Sequence, residues 1–252
     1  MLDQAQAWGN IAPRYEQEFI DPYRGDVHNP MLRALQKMKG LDRLTAADFG
    51  CGLGPLLPFL AERFRIVWGI DFAPAMLDQA KHRCAHLPNV MFLERPFGDL
   101  SPLYGQIDVA TSVNSLVLPH VQQLDEALVQ MRRCLRPGGR LFGIVPSIDG
   151  VHYHTMLLLD RALRSGKPLD QARLNAATLA EHASYDFAFG RFHFQGIEQH
   201  FWQPFEIPYR LKRAGFKRVQ MRKTLLSWKQ FSGWKELQHY PPPWDWCFLA
   251  RV

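Results

Sequence analysis

The chain has 252 residues, of which 47% are hydrophobic and 21% charged; this is enough to bury a full core and excludes an intrinsically disordered segment. No apolar run approaches the roughly 18 residues of a membrane span, and the opening MLDQAQAWGN lacks the charged-then-apolar layout of a secretory signal. One soluble, cytoplasmic domain is expected, with no membrane partner; Cys51, Cys84, Cys134 and Cys247 show no CxxC spacing and read as reduced thiols without a metal signal.

The formal charge of +6 is unevenly divided: residues 1–126 hold 11 Lys/Arg against 15 Asp/Glu, whereas 127–252 hold 19 against 9. The densest basic stretch, YRLKRAGFKRVQMRK at 209–223, could attract RNA or an anionic substrate. The same stretch reads as a solvated helix face followed by an edge strand, and it lacks the aromatics set between basic residues that mark RNA-binding surfaces.

In chain order, residues 1 to about 40 read as helical, with Leu32, Leu35 and Met38 at helical spacing and Gly40 as a stop. RLTAADFG supplies a short buried strand, Gly50 to Gly54 a tight loop, and Pro55 a first helical position for PLLPFLAERF. RIVWGID is a second strand, APAMLDQAKHRCAHL a helix with Met76, Ala80 and Cys84 on one stripe, NVMFLE a third strand and IDVATSVNS a fourth. VQQLDEALVQMRRCLRPGG places Leu124, Leu128, Met131 and Leu135 on one helical face before a Pro-Gly-Gly stop, and RLFGIVPS is a fifth strand. This alternation calls for a parallel sheet covered on both faces, an α/β fold. Residues 147–205 then lose the strand signals and carry helical and loop material dense in His, Phe and Trp, more like a lid than a connection. PFEIPYRLKRAGF reads as a helix, KRVQMRK as a sixth strand and DWCFLARV as the last.

The most informative stretch is DFGCGLG, residues 48–54. A strand, a Gly-rich turn and a helix start, followed about twenty residues later by Asp71 at the end of the next strand, make a nucleoside site: glycines admit the ligand to the backbone and the acid takes ribose hydroxyls. The dinucleotide pattern G-x-G-x-x-G fails, because position 55 is proline, and no Gly-Lys-Ser/Thr follows to make a phosphate loop. A G-x-G-x-G loop remains, with Asp48 two residues upstream of Gly50.

ADFGCGLG resembles the first motif of class I S-adenosylmethionine-dependent methyltransferases. LRPGGRLFGIVPS resembles that family's entry to its fifth strand, and LKRAGFKRV its helix-to-sixth-strand junction. The resemblance implies a Rossmann-like, doubly wound seven-stranded sheet, mostly parallel with an antiparallel last strand. It divides the domain into a helical N-terminal cap (1–43), a cofactor-binding half (44–146), a lid insertion (147–205) and a C-terminal part of the sheet (206–252). It also implies that Asp48 and the backbone of Gly50, Cys51, Gly52 and Gly54 face the methionine portion of S-adenosyl-L-methionine, Asp71 the ribose, and Phe72 and Met76 the adenine. Where relatives carry Gly-Asp-Ala after the third strand, this chain has LERPFGDLS, so adenine contacts shift toward Phe97, Gly98 or Asp99; after the fourth strand, Asn114 is favoured over Ser112 as a cofactor contact.

A sulfonium tolerates aromatic faces but not nearby cations. The resemblance implies an aromatic of the N-terminal cap over the cofactor, for which Trp8 and Tyr15 are the candidates, with Tyr15 preferred and core packing an equal alternative. A hydroxyl acceptor needs a base, for which His120 after the fourth strand and His152, His154, His182, His193 and His200 in the lid are available. His120 and His200 are retained with Tyr15 as catalytic candidates; His152-x-His154 matches no established ligand spacing, and no metal is expected. The expected function is methyl transfer to a small organic molecule, apolar or partly aromatic. The alternatives are an RNA- or protein-directed enzyme using the basic half, or a non-methylating S-adenosylmethionine-binding protein.

Overall fold

The computed structural model describes residues 4–14, 19–194, 197–231 and 234–252. Among them are strands β1 (Thr45–Phe49), β2 (Ile66–Asp71), β3 (Val90–Glu94), β4 (Ile107–Val113), β5 (Leu135–Val145), β6 (Tyr185–Asp186), β7 (Arg191–Phe194), β8 (Ile197–His200), β9 (Lys217–Leu225) and β10 (Trp244–Arg251). Seven form one sheet in the order β3-β2-β1-β4-β5-β10-β9. Pairings among β1 to β5 are parallel, and β10 runs antiparallel to both its neighbours, as the resemblance implies.

Central position dictates the character of β1: all five residues of TAADF are buried, because helices cover both faces. Side chains alternate between two cores. Ala47, Phe49, Leu141 and Val145 join Leu124, Leu128 and Met131 of α5 (Val121–Cys134) and Ile207 and Leu211 of α8 (Glu206–Arg213). Ala46, Phe142 and Ile144 point the other way, to Met31 and Leu35 of α2 (Pro30–Lys37), Leu57 and Leu60 of α3 (Leu57–Ala61), and Leu77 and Ala80 of α4 (Pro74–Arg83). Leu124, Leu128 and Met131 are each fully buried, worth about 1.5–3 kcal/mol apiece.

Several boundaries depart from the sequence expectation for local reasons. Residues 1–40 are not continuously helical: α1 (Gln4–Ile11) and α2 are separated by turns in which the Tyr23 amide donates to Asp21 Oδ1 (2.8 Å) and Asn29 caps α2 by accepting from Leu32 (3.1 Å). Pro55 lies in a turn, and α3 starts at Leu57 with Pro58 in its first turn. Leu135 does not extend the α5 stripe; it pairs with Ile107 and opens β5, and pairing resumes at Arg140 with Val109 beyond the Pro137-Gly138-Gly139 bulge.

The stretch between β5 and α8 contains α6 (Ile148–Arg164), α7 (Leu169–Leu179) and a separate antiparallel sheet, β6-β7-β8, that the sequence reading missed. Its strands are only two to four residues long. Tyr185 and Phe192 face each other across β6 and β7 with ring centroids 4.6 Å apart. A satellite core of Leu157, Leu158, Ala176, Ala180, Trp228 and Leu237 holds α6 and α7 against the chain that precedes β10. Among the described residues no helix is long and apolar enough to cross a membrane.

Candidate cofactor and acceptor site

Strand order reverses between β1 and β4, since β2 and β3 extend the sheet to one side and β5 to the other. A crevice opens at such a switch point, beyond the carboxyl ends of the strands. The loops leaving β1 and β4 meet there. Ser115 Oγ donates to the Phe49 carbonyl (2.7 Å), and a Cβ on Gly50 would lie 2.2 Å from the Ser115 Cβ, so only glycine allows this approach. Gly50 and Cys51 amides both donate to the Ile70 carbonyl, which fastens the loop to β2.

Asp71 ends β2 facing the loop. Its carboxylate accepts from the Gly52 amide (2.9 Å) and the Ala73 amide (2.9 Å), leaving lone pairs for two further donors. Burial raises its pKa, while hydrogen bonds from Ala73, Gly52 and Phe72 pull it back toward the ionised form. Asp48, one strand away, is fully enclosed: burial pushes its carboxyl up to about 7 despite the Thr111 hydroxyl donating at 2.7 Å, and the neighbouring Asp71 charge adds to the rise.

A cavity of about 300 Å³ occupies the crevice. Of the residues expected at the cofactor, Gly50, Gly52, Asp71, Phe72, Met76, Phe97, Gly98 and Asn114 line it. Asp48, Cys51 and Gly54 do not: Asp48 sits beneath the loop on Thr111, Cys51 is buried in the core beside α3 and α4, and Gly54 packs against Ala80 of α4. Ser112 is turned away and shares a hydrogen bond with Ser115 (2.7 Å). Asn114 stands at a left-handed φ of 51°, and its buried Oδ1 has no partner.

A second cavity of about 380 Å³ adjoins the first, and Trp8, Asn114 and Val117 line both. Its walls come from α1, α6, the small sheet and the start of β10. Four residues lining this space carry a buried polar atom with no hydrogen-bond partner: Asn114 Oδ1, His154 Nε2, Gln199 Nε2 and Trp244 Nε1. Native interiors leave few such groups, and a cluster around one cavity points to a ligand that completes them. Asp245 lines the same space; burial pushes its carboxyl up to about 7, with the Ser147 amide as a hydrogen bond that lowers it. Burial holds His154 down at about 4, so its imidazole is neutral at pH 7. The sequence reading missed Gln199, Trp244 and Asp245, although an acid between two tryptophans in a buried strand, WDW, was the available signal.

The catalytic candidates fare differently. Tyr15 lies outside the described residues. His120 is exposed as the N-cap of α5, and His200 is buried against Glu206 (2.9 Å); neither lines either of these two cavities. Of the other lid histidines only His154 does, while His152 and His182 pack on Phe187. Among the described residues no cluster of His, Cys, Asp or Glu is arranged for a metal ion.

Residues 46–139 match the family model described as "Methyltransferase domain". This stretch of the chain is similar to a methyltransferase domain. The cofactor of this class is S-adenosylmethionine, and the crevice suits it: Asp71 keeps free acceptor sites, Asn114 an unpartnered oxygen, and the lining among the described residues holds Asp71, Glu126 and Glu198 but no lysine or arginine to repel a sulfonium.

The chain is similar to an uncharacterized 37.1 kDa transposon protein of Streptomyces fradiae, 38% identical over 128 residues covering 48% of this chain and 34% of that protein. It is also similar to trans-aconitate 2-methyltransferase of Deinococcus radiodurans, 37% identical over 113 residues, 44% of this chain and 41% of that protein. The chain thus spans less than half the length of these two curated relatives. In fold it resembles an S-adenosylmethionine-dependent methyltransferase structure from Listeria monocytogenes, with TM-score 0.60 and 18% identity over 88% of this chain and 94% of the other.

Proposed function

We propose that this protein transfers a methyl group from S-adenosylmethionine to a small organic molecule held in the larger cavity. The observation that carries the proposal is the shared wall: a cofactor-sized crevice and a second cavity meet at Trp8, Asn114 and Val117. Bound S-adenosylmethionine supplies a methyl already activated on a sulfonium. The chain then has to hold a nucleophile in line and keep water out, and such orientation lowers a barrier by up to about 7–11 kcal/mol. Asp71 and the Gly50–Gly52 backbone fix one end of the cofactor, Phe72 and Met76 flank its ring, and Trp8 and Asn114 stand where the two ligands touch.

The RNA-directed alternative draws less support from the basic stretch than its composition suggests. Arg210 is ion-paired with Glu206 and Asp125, Arg213 reaches Asp125, and Lys223 lies 3.2 Å above the Trp244 ring. The test is a melting titration with S-adenosylmethionine and its demethylated product, followed by incubation with labelled methyl donor and either a metabolite extract or total RNA. Saturable stabilisation by both ligands and label in a small product are expected. The absence of any melting shift in a folded sample overturns the proposal, and label in RNA overturns its choice of acceptor.

A further inference from the structure

The larger cavity has a consistent chemistry. Its walls are aromatic: Tyr185, Phe192 and Phe201 form a mutual cluster with centroids 4.6–5.3 Å apart, and Trp244 and Phe231 face the same space. Among the described lining residues none is lysine or arginine, and the one histidine, His154, is held neutral. Lys223 lies over the Trp244 ring and Arg161 acts on His154, but neither is a lining residue. Two acids do line the cavity, Glu181 exposed and Asp245 buried. An anionic acceptor would therefore lose its water for a site that offers no counter-charge and already holds a carboxyl, an unfavourable exchange.

The unpartnered groups say what an uncharged acceptor must offer. Gln199 Nε2 and Trp244 Nε1 are donors with nothing to donate to. Asp245 is an acceptor held in place by the Ser147 amide at the start of α6, so it waits for a hydrogen from the cavity side. Resting on the methyltransferase proposal above, we infer that the acceptor is an uncharged, ring-bearing molecule whose hydroxyl or amino hydrogen is received by Asp245 and whose oxygen is held by Gln199 and Trp244. Asp245, when ionised, is then the specificity-determining residue that rejects carboxylates.

Matched naphthalenes test this by calorimetry at pH 8, above the value of about 7 to which burial pushes Asp245, on the full chain saturated with S-adenosylhomocysteine. 2-Naphthol is expected to bind at least about tenfold more tightly than 2-naphthoate, the cost of an unpaired buried charge. Asp245→Asn is expected to weaken 2-naphthol by about tenfold and to narrow the gap to 2-naphthoate, since the repelling charge is gone. Gln199→Leu carries the test if Asp245→Asn does not fold, with an expected loss of about fivefold in 2-naphthol affinity and unchanged S-adenosylhomocysteine binding. The inference is overturned if 2-naphthoate binds as tightly as 2-naphthol, if neither binds, or if both variants keep native affinities. Because S-adenosylhomocysteine binding is read in the same samples, its loss in the native protein marks failure of the methyltransferase proposal, whereas its presence with any of those outcomes marks failure of this inference alone.

Discussion

The Gly52 amide donates to Asp71 Oδ2 across 2.9 Å, so the glycine loop and the carboxylate downstream of it are one unit. The hydrogen bond sets the loop before any ligand arrives and orients the remaining lone pairs toward the crevice. Asp71→Asn replaces an acceptor by a group that is half donor and confronts two backbone amides. S-adenosylhomocysteine affinity should fall at least about 100-fold, because two hydroxyl bonds to a charged acceptor are worth about 1.5–3 kcal/mol each. Calorimetric titration reads this directly; a dissociation constant within about threefold of native would show that the ribose lies elsewhere.

Gly50 and Gly52 both have positive φ, at 72° and 52°, yet alanine should affect them differently. At Gly50 the added methyl meets Ser115 Cβ at 2.2 Å, so backbone strain is joined by a clash between two strand-end loops. Gly50→Ala should cost at least about 2–3 kcal/mol in urea denaturation. At Gly52 nothing lies within 4 Å of the new Cβ, and the stability loss should stay near about 1 kcal/mol. That methyl enters the cofactor cavity, however, so Gly52→Ala should bind S-adenosylhomocysteine at least about tenfold more weakly while remaining folded. Equal stability losses for the two variants would contradict the geometry.

How much of this could be read from the chain depends on whether a signal was local. The glycine loop, Asp71 and the strand-helix alternation are local patterns, and the sheet follows them. The larger cavity is assembled from α1, α6, β8 and β10, and no spacing joins Asn114 to Gln199 or Asp245. His200 illustrates the limit: a histidine in an aromatic insertion suggests a base, but its Nε2 is committed to Glu206 and its ring packs against Trp202, facts set by distant residues. The β6-β7-β8 sheet was missed because strands of two to four residues carry too few alternations to be distinguished from a loop.

Asp245 makes stability depend on pH in a predictable direction. Its carboxyl titrates near 3.8 when unfolded and is pushed up to about 7 when folded, so between those values the folded chain holds the extra proton. The stabilisation is full below about pH 4 and is lost as pH rises through about 7. The groups around it do not reverse the sign: Glu181 and Tyr185 share the cavity, Tyr185 is itself raised by burial and by Glu181 and Asp245, and the Ser147 amide only reduces the shift. Urea denaturation of the unliganded protein at pH 5, 6 and 7 should show Asp245→Asn losing stability less steeply than the native chain, by up to about 1.4 kcal/mol per pH unit. Parallel lines would mean that water or a counter-ion keeps Asp245 near its ordinary value.

Arg210 joins three elements. Its Nε meets Glu206 Oε1 at 2.6 Å one turn earlier in α8, a terminal nitrogen meets Asp125 of α5 at 2.8 Å, and Glu206 also holds His200 of β8. Burial would raise Glu206, but His200 and Arg210 outweigh it and leave the carboxyl below its usual range. The stability this brings is present above the unfolded value and lost as pH falls through the lowered one. Arg210→Met keeps the apolar stem and removes the charge, stranding Glu206 in a half-closed site. The loss in urea denaturation should be about 2–3 kcal/mol at pH 7, less than for a fully buried pair because the Arg210 side chain remains 13% exposed. Arg210 lines neither cavity, so S-adenosylhomocysteine affinity should stay within about twofold of native. A large loss of ligand affinity at preserved stability would give Arg210 a role in binding instead of in joining α8 to α5.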